Sequence, residues 1–127
     1  MDRFLLVVLG SGVGGGLRYA IGLWAGPRLG PGFPYGTLIV NLLGCFLLAL
    51  IAQLAVHVSG FPANLRLALT TGVMGGLTTY STFNYETQTL VGDGAARTAA
   101  LYLAVTGLGC LAAGAGGLLL GRRLAGA

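Results

Sequence analysis

Four long apolar stretches dictate what this chain can fold into. They run from Phe4 to Ala25, Tyr35 to Val58, Leu65 to Val91 and Ala95 to Leu120, with Arg18 inside the first, Glu86 inside the third, and Arg66 and Arg97 near segment ends. An apolar helix of about 20 residues spans a hydrocarbon core of about 30 Å, so each stretch is long enough for one crossing. The joints are short and hold helix breakers, namely Pro27, Gly30, Pro31, Gly32 and Pro34, then Gly60 and Pro62, then Gly92, Asp93 and Gly94. Loops of this kind leave no room for a soluble domain. With 55% hydrophobic and 8% charged residues the chain also lacks the surface charge of a soluble domain. The expectation is an all-α membrane protein: one four-helix transmembrane domain over residues 1–127, multi-pass in a plasma membrane such as the inner membrane of a prokaryote. Its helices should cover about 4–25, 35–58, 65–91 and 95–120.

The third stretch contains the run Gly75-Gly76-Leu77-Thr78-Thr79-Tyr80-Ser81-Thr82-Phe83, which puts two glycines and a cluster of hydroxyls in its middle. As a straight helix this stretch is roughly 40 Å long, so Thr78 falls near the bilayer midplane. Irregular, polar backbone at that depth is tolerated only where it is buried in protein or lines a cavity. A break near residues 75–79 is therefore expected. One half-helix would direct free carbonyls at the midplane and the other free amides, holding a cation on one side and an anion on the other.

Four helices enclose little by themselves, so a homo-oligomer is the default. Glycines four apart, as in Gly12/Gly16, Gly22/Gly26, Gly72/Gly76 and Gly117/Gly121, let helix backbones approach closely within or between subunits. Orientation is weakly specified. Arg3, Arg66, Arg122 and Arg123 on one side oppose Arg28, Arg97 and the nearby Arg18 on the other. So small an excess permits insertion both ways, and equally fits one orientation with the termini in the cytoplasm. The net charge of +4 sits mostly at helix ends, where arginines meet lipid headgroups, and forms no nucleic-acid patch.

Several apparent motifs carry no chemistry. The first stretch follows Arg3 like a signal peptide, but it is too long, contains Arg18 and lacks a cleavage site. Gly10-Ser11-Gly12-Val13-Gly14-Gly15 satisfies the dinucleotide-turn pattern, yet no Asp or Glu occurs between Asp2 and Glu86 to hold a ribose. His57 lies at a segment end and reads as an interfacial side chain. Cys45 and Cys110 read as small buried hydrophobes, without a CxxC metal site or a disulfide framework. No catalytic set is present, so the chain is not expected to be an enzyme.

What remains is a set of polar groups at membrane depth. Thr37 and Asn41 share a face of the second stretch with Gly44, while Tyr102, Thr106 and Cys110 form a stripe along the fourth. Each alone reads as an interhelical hydrogen bond. Together with Thr78, Thr79, Ser81 and Thr82 they read as a continuous path. Apart from Arg18 and Glu86 that path is neutral and rich in donors, and hydroxyls, an amide and aromatic ring edges can all face an anion.

The elements GSGVGGGLRY (Gly10 to Tyr19), GTLIVNLLG (Gly36 to Gly44) and GVMGGLTTYSTFNYE (Gly72 to Glu86), in that order, resemble the CrcB/Fluc fluoride channels over most of the chain. The resemblance implies an antiparallel, dual-topology homodimer with two fluoride pores and a structural sodium ion at the dimer interface. It assigns the sodium to backbone carbonyls of Gly75 and Thr78. It assigns the pore asparagine to Asn41, the aromatic positions to Tyr80 and Phe83, and the fourth-helix polar track to Tyr102, Thr106 and Cys110. Ser81 and Thr82 would face fluoride beside them. Arg18 and Glu86 match the family's arginine and acidic residue, at a vestibule or the pore. Tyr80 stands where the family usually has Phe, and Cys110 where it often has a hydroxyl.

The function this implies is passive, fluoride-selective export. One competing reading is a proton-coupled efflux transporter of the small multidrug type, which needs a membrane-embedded carboxylate, typically in the first helix. That helix has no acid after Asp2, leaving only Glu86. Another is a non-transporting membrane assembly subunit, which accounts for the glycines but not for polar residues on three helices.

Overall fold

The computed structural model describes residues 2–126. Its regular elements are all helical: α1 (Arg3–Leu29), α2 (Tyr35–His57), α3 (Ala63–Leu67), a π-helix π1 (Ala68–Met74), α4 (Gly75–Leu77), α5 (Tyr80–Gly92) and α6 (Ala96–Leu124). Three of them, α1, α2 and α6, with 27, 23 and 29 residues, are long and apolar enough to cross a membrane. The third apolar stretch is divided among α3, π1, α4 and α5. Between α4 and α5 the backbone of Thr78 (φ −80°, ψ 153°) and Thr79 (φ −152°, ψ 115°) is extended.

Local chemistry sets the helix ends. The Asp2 carboxylate accepts the Phe4 N–H at 3.2 Å and caps α1. At the other end Gly30 takes φ 88° and donates its N–H to the Gly26 carbonyl, a geometry that favours glycine. The helix therefore continues past Ala25 to Leu29. Pro27 is accommodated in its last turns, where the missing N–H costs one carbonyl partner close to the helix end.

The helices pack as two parallel pairs whose contacts are made by glycine. Along α1, a Cβ added to Gly10 would lie 2.7 Å from the Ala68 carbonyl oxygen and 2.9 Å from Gly72 Cα. One added to Gly14 would collide with the Val73 carbonyl oxygen, and one on Gly76 with that of Ser11. Contacts climb in step along both elements, so α1 and π1–α4 run in the same direction. The same holds for α2 and α6, the most extensive helix pair. Gly109 meets Leu42, Gly117 meets Phe46 to Leu50, and Gly121 meets Leu50 and Gln53.

Within this chain Gly12, Gly16, Gly22 and Gly26 have open space where a side chain would start, whereas Gly10 and Gly14 meet π1 and α4. Val40, Met74 and Leu77 make a small core, with Ile21, Leu47 and Val73 packed against it. Most other large apolar side chains, such as Leu108 and Leu111, point outward. This suits a chain whose surroundings are hydrocarbon rather than water.

Gly14→Ala should destabilise the fold by about 1–3 kcal/mol, because the added carbon meets backbone rather than a movable side chain. At Gly116, where an added Cβ would meet only the Phe46 ring at 3.9 Å, Gly116→Ala should be neutral or mildly stabilising. Thermal unfolding of the purified variants in detergent compares the two.

Candidate functional site

The extended Thr78–Thr79 backbone falls outside the helical hydrogen-bond pattern, and Asn41 of α2 supplies two bonds in its place. The Thr79 N–H donates to Asn41 Oδ1 at 2.8 Å, and Asn41 Nδ2 donates to the Thr79 carbonyl at 3.1 Å. One buried side-chain amide thus satisfies both backbone polar groups of a buried residue. Nδ2 carries two hydrogens and this bond uses one.

Side chains complete the turn. Thr78 Oγ1 and its N–H both donate to the Met74 carbonyl at 3.0 Å, finishing α4. Thr79 Oγ1 accepts the Thr82 N–H at 3.2 Å, donates to Thr82 Oγ1 at 3.0 Å and so caps α5. Ser81 Oγ lies 3.3 Å from the same oxygen. Among the described residues, the backbone hydrogen bonds at these element ends leave the Gly75 and Thr78 carbonyls without an N–H partner.

A second polar centre lies on the other side of Thr79. Glu86 of α5 accepts from Thr37 Oγ1 of α2 at 2.8 Å and from the Tyr102 hydroxyl of α6 at 2.7 Å, tying three helices through one carboxylate. Tyr102 is 0% exposed. Its ring takes edge contacts from Phe33 at 5.3 Å and Phe83 at 5.0 Å between centroids, and Tyr80 meets Phe83 at 5.8 Å. The result is an aromatic wall running from the α1–α2 joint to the start of α5.

Two cavities flank this wall, and Thr79 lines both. One, of about 570 Å³, is bordered by Arg18, Thr37, Thr82 and Glu86. The other, of about 350 Å³, is bordered by Asn41, Thr78, Tyr80, Phe83, Thr106 and the two cysteines, with no charged residue. In this neutral cavity the Thr106 hydroxyl is buried and, among the described residues, is the one buried side-chain polar atom without a partner. Asn41 and Thr106 thus both border a cavity whose exposed lining is mostly apolar.

The residues singled out in the sequence thus fall into groups. Asn41, Thr78, Tyr80, Phe83, Thr106 and Cys110 gather around the neutral cavity, and Arg18, Thr82 and Glu86 around the charged one. Tyr102 stands between them. Gly75, Ser81 and Tyr80 lie on an exposed face, Tyr80 at 80%. Two residues stand out only in the structure. Thr79, one of the run of hydroxyls in the sequence, is the residue Asn41 binds rather than Thr78, and adjacent threonines are indistinguishable until the backbone turns. Phe33 comes from a joint, and its only hint was an aromatic residue set between Pro31 and Pro34.

Comparison with known proteins bears on what such a site serves. A family model described as CrcB-like protein, Camphor Resistance (CrcB), matches residues 5–118. A protein of Anaeromyxobacter dehalogenans named fluoride-specific ion channel FluC is 53% identical over 126 residues, covering 99% of this chain and 100% of the relative. Proteins of the same name from Sorangium cellulosum and Chloroflexus aurantiacus are each 43% identical, covering 98% and 96% of this chain and 98% and 97% of themselves. A match this continuous takes in α1, the Asn41 turn of α2, the extended threonines and nearly all of α6, and the chain belongs to the CrcB family.

Proposed function

We propose that this chain is a fluoride-selective channel of the plasma membrane that exports the anion passively and so lowers cytoplasmic fluoride. The observation that carries the reading is the neutral cavity, which is bordered by Asn41 and by Thr106, whose buried hydroxyl has no partner, and which has no fixed charge in its lining. Fluoride exchanges water for these donors and for the ring edges of Phe83 and Tyr80, with Ser81, Thr82 and Tyr102 along the same path and Cys110 at its far wall. Several moderate contacts bind the ion without trapping it, and a narrow path excludes the larger chloride. Arg18 and Glu86 border the vestibule. A membrane potential, negative inside, drives the anion outward by about 2.3 kcal/mol per 100 mV, roughly fiftyfold in concentration. No covalent chemistry is needed, so the protein is not an enzyme.

The proposal extends to the assembly. The chain forms one four-helix transmembrane domain, its third crossing broken at Thr78–Thr79, and pairs with a second copy as an antiparallel, dual-topology homodimer surrounded by lipid. The exposed Gly75, Tyr80 and Ser81 face that copy. The Gly75 and Thr78 carbonyls, free of N–H partners, are hard oxygen donors suited to a structural sodium ion where the two copies meet. Such an ion supplies positive charge that joins two broken backbones. A proton-coupled drug transporter fits less well, because both oxygens of Glu86 are engaged by hydroxyl donors rather than free to exchange protons with a substrate.

In liposomes with an outward potassium gradient, valinomycin should trigger release of fluoride and not of chloride. Folded protein silent to fluoride overturns the channel reading. Asn41→Asp keeps the acceptor for Thr79 N–H but loses the donor to the Thr79 carbonyl and sets negative charge beside the ion's path. It should lower fluoride release by about tenfold or more, the effect of about 1.4 kcal/mol on the barrier. Exchanging sodium for a large organic cation throughout purification should reduce dimer melting temperature or flux, and an unchanged dimer removes the sodium site.

A further inference from the structure

The parallel packing of α2 against α6 sets their two polar stripes side by side. Thr37 and Tyr102 are bridged by Glu86. Asn41 and Thr106 both border the neutral cavity. Four residues further along each helix, about 6 Å in rise, stand Cys45 and Cys110. Cys45 and Cys110 are both half-buried and both line the same cavity. Read separately in the sequence they are small hydrophobes. Set on one cavity by the packing of α2 against α6, they are a candidate dithiol.

The surroundings decide what such a dithiol can hold. Among the described residues no three His, Cys, Asp or Glu side chains gather anywhere, so an ion that needs three or four protein ligands is not served. Two thiols suit a soft ion that accepts two-coordinate, near-linear binding. The cavity has no charged residue, so a monovalent ion held by two thiolates would leave a net negative charge unpaired at membrane depth, which is costly. A divalent soft ion leaves none.

We propose that Cys45 and Cys110 form a two-thiol site for a soft divalent ion of the mercuric class, set on the wall of the neutral cavity. On binding, the ion forms two metal–sulfur bonds and the two S–H protons leave to water. Neither the metal nor sulfur changes oxidation state, and the bound complex is neutral. An ion held there narrows the cavity one helical turn from Asn41 and Thr106. Metal binding stands on the cavity that the two thiols share, while its effect on fluoride rests on the channel reading above.

The full-length protein in detergent should be titrated with mercuric chloride while the ultraviolet mercury–thiolate absorption and the remaining free thiols are followed. Saturation at one ion per chain with both thiols consumed supports the site. Two ions per chain, one on each sulfur, overturn it, and this measurement needs no variant to fold. Cys45→Ala and Cys110→Ala should each weaken binding sharply and abolish the two-thiol absorption, and wild-type affinity in either variant overturns the pairing. In liposomes the loaded protein should release fluoride no faster than protein-free vesicles, with release restored by excess dithiothreitol. Binding with undiminished flux overturns the placement on the ion's path. Protein that binds mercury but never conducts sinks the channel reading and leaves the metal site standing.

Discussion

Two hydrogen bonds between the Asn41 amide and the backbone of Thr79 allow the rest of the site to exist. A helix interrupted inside hydrocarbon exposes polar groups that no lipid can satisfy, at a cost of several kcal/mol for each group left unpaired. Asn41 removes that cost for the residue at the centre of the interruption. Because the bonds come from α2, they also fix the depth of α5 against α2, and with it the positions of Phe83 and Glu86. Glu86 then carries the same registration to α6 through Tyr102. Asn41, Thr79 and Thr82, which hold the extended backbone, thus also line the cavities.

Glycine makes this arrangement compact enough to work. Contact of α1 with π1 and α4 places backbone against backbone, which brings Ser11 Oγ to 3.4 Å from the Gly72 carbonyl. The π-helical turn widens the backbone spiral just ahead of the extended threonines, a common setting for functional sites. On the opposite flank, glycines of α6 let α2 approach until Leu42, Phe46 and Gln53 touch it. Larger residues at these crossings would separate the helices and pull apart the groups that Glu86 and Asn41 connect.

Much of this was legible in the residues, and the part that was not shares one cause. Apolar length and charge spacing mark the long helices, and four-residue spacing marks Asn41, Tyr102, Thr106 and Cys110 as stripes on their own helices. Spacing gives a face but not the rotation of that face toward a neighbour. Gly12 and Gly16 therefore look as suited to a helix crossing as Gly10 and Gly14 do, and only the packed structure separates them. The same limit hid the placing of Cys45 and Cys110 on one cavity, since it depends on how two helices far apart in sequence pack together. Thr79 and Thr78 differ only in how the extended backbone turns, which no local preference decides.

The parallel α2–α6 contact has a consequence for how the chain assembles. Neighbouring helices that run the same way cannot be joined by a tight turn, so the whole third stretch serves as their crossover. Contact between α2 and α6 must wait for the last helix to be inserted, and closing so long a loop is a late, entropically unfavourable step. Until then Thr37 and Glu86 lack Tyr102, whereas Asn41 and Thr79 already lie on inserted segments. In chain order, the residues that pair at the Thr79 backbone are all present before the α2–α6 contact can close.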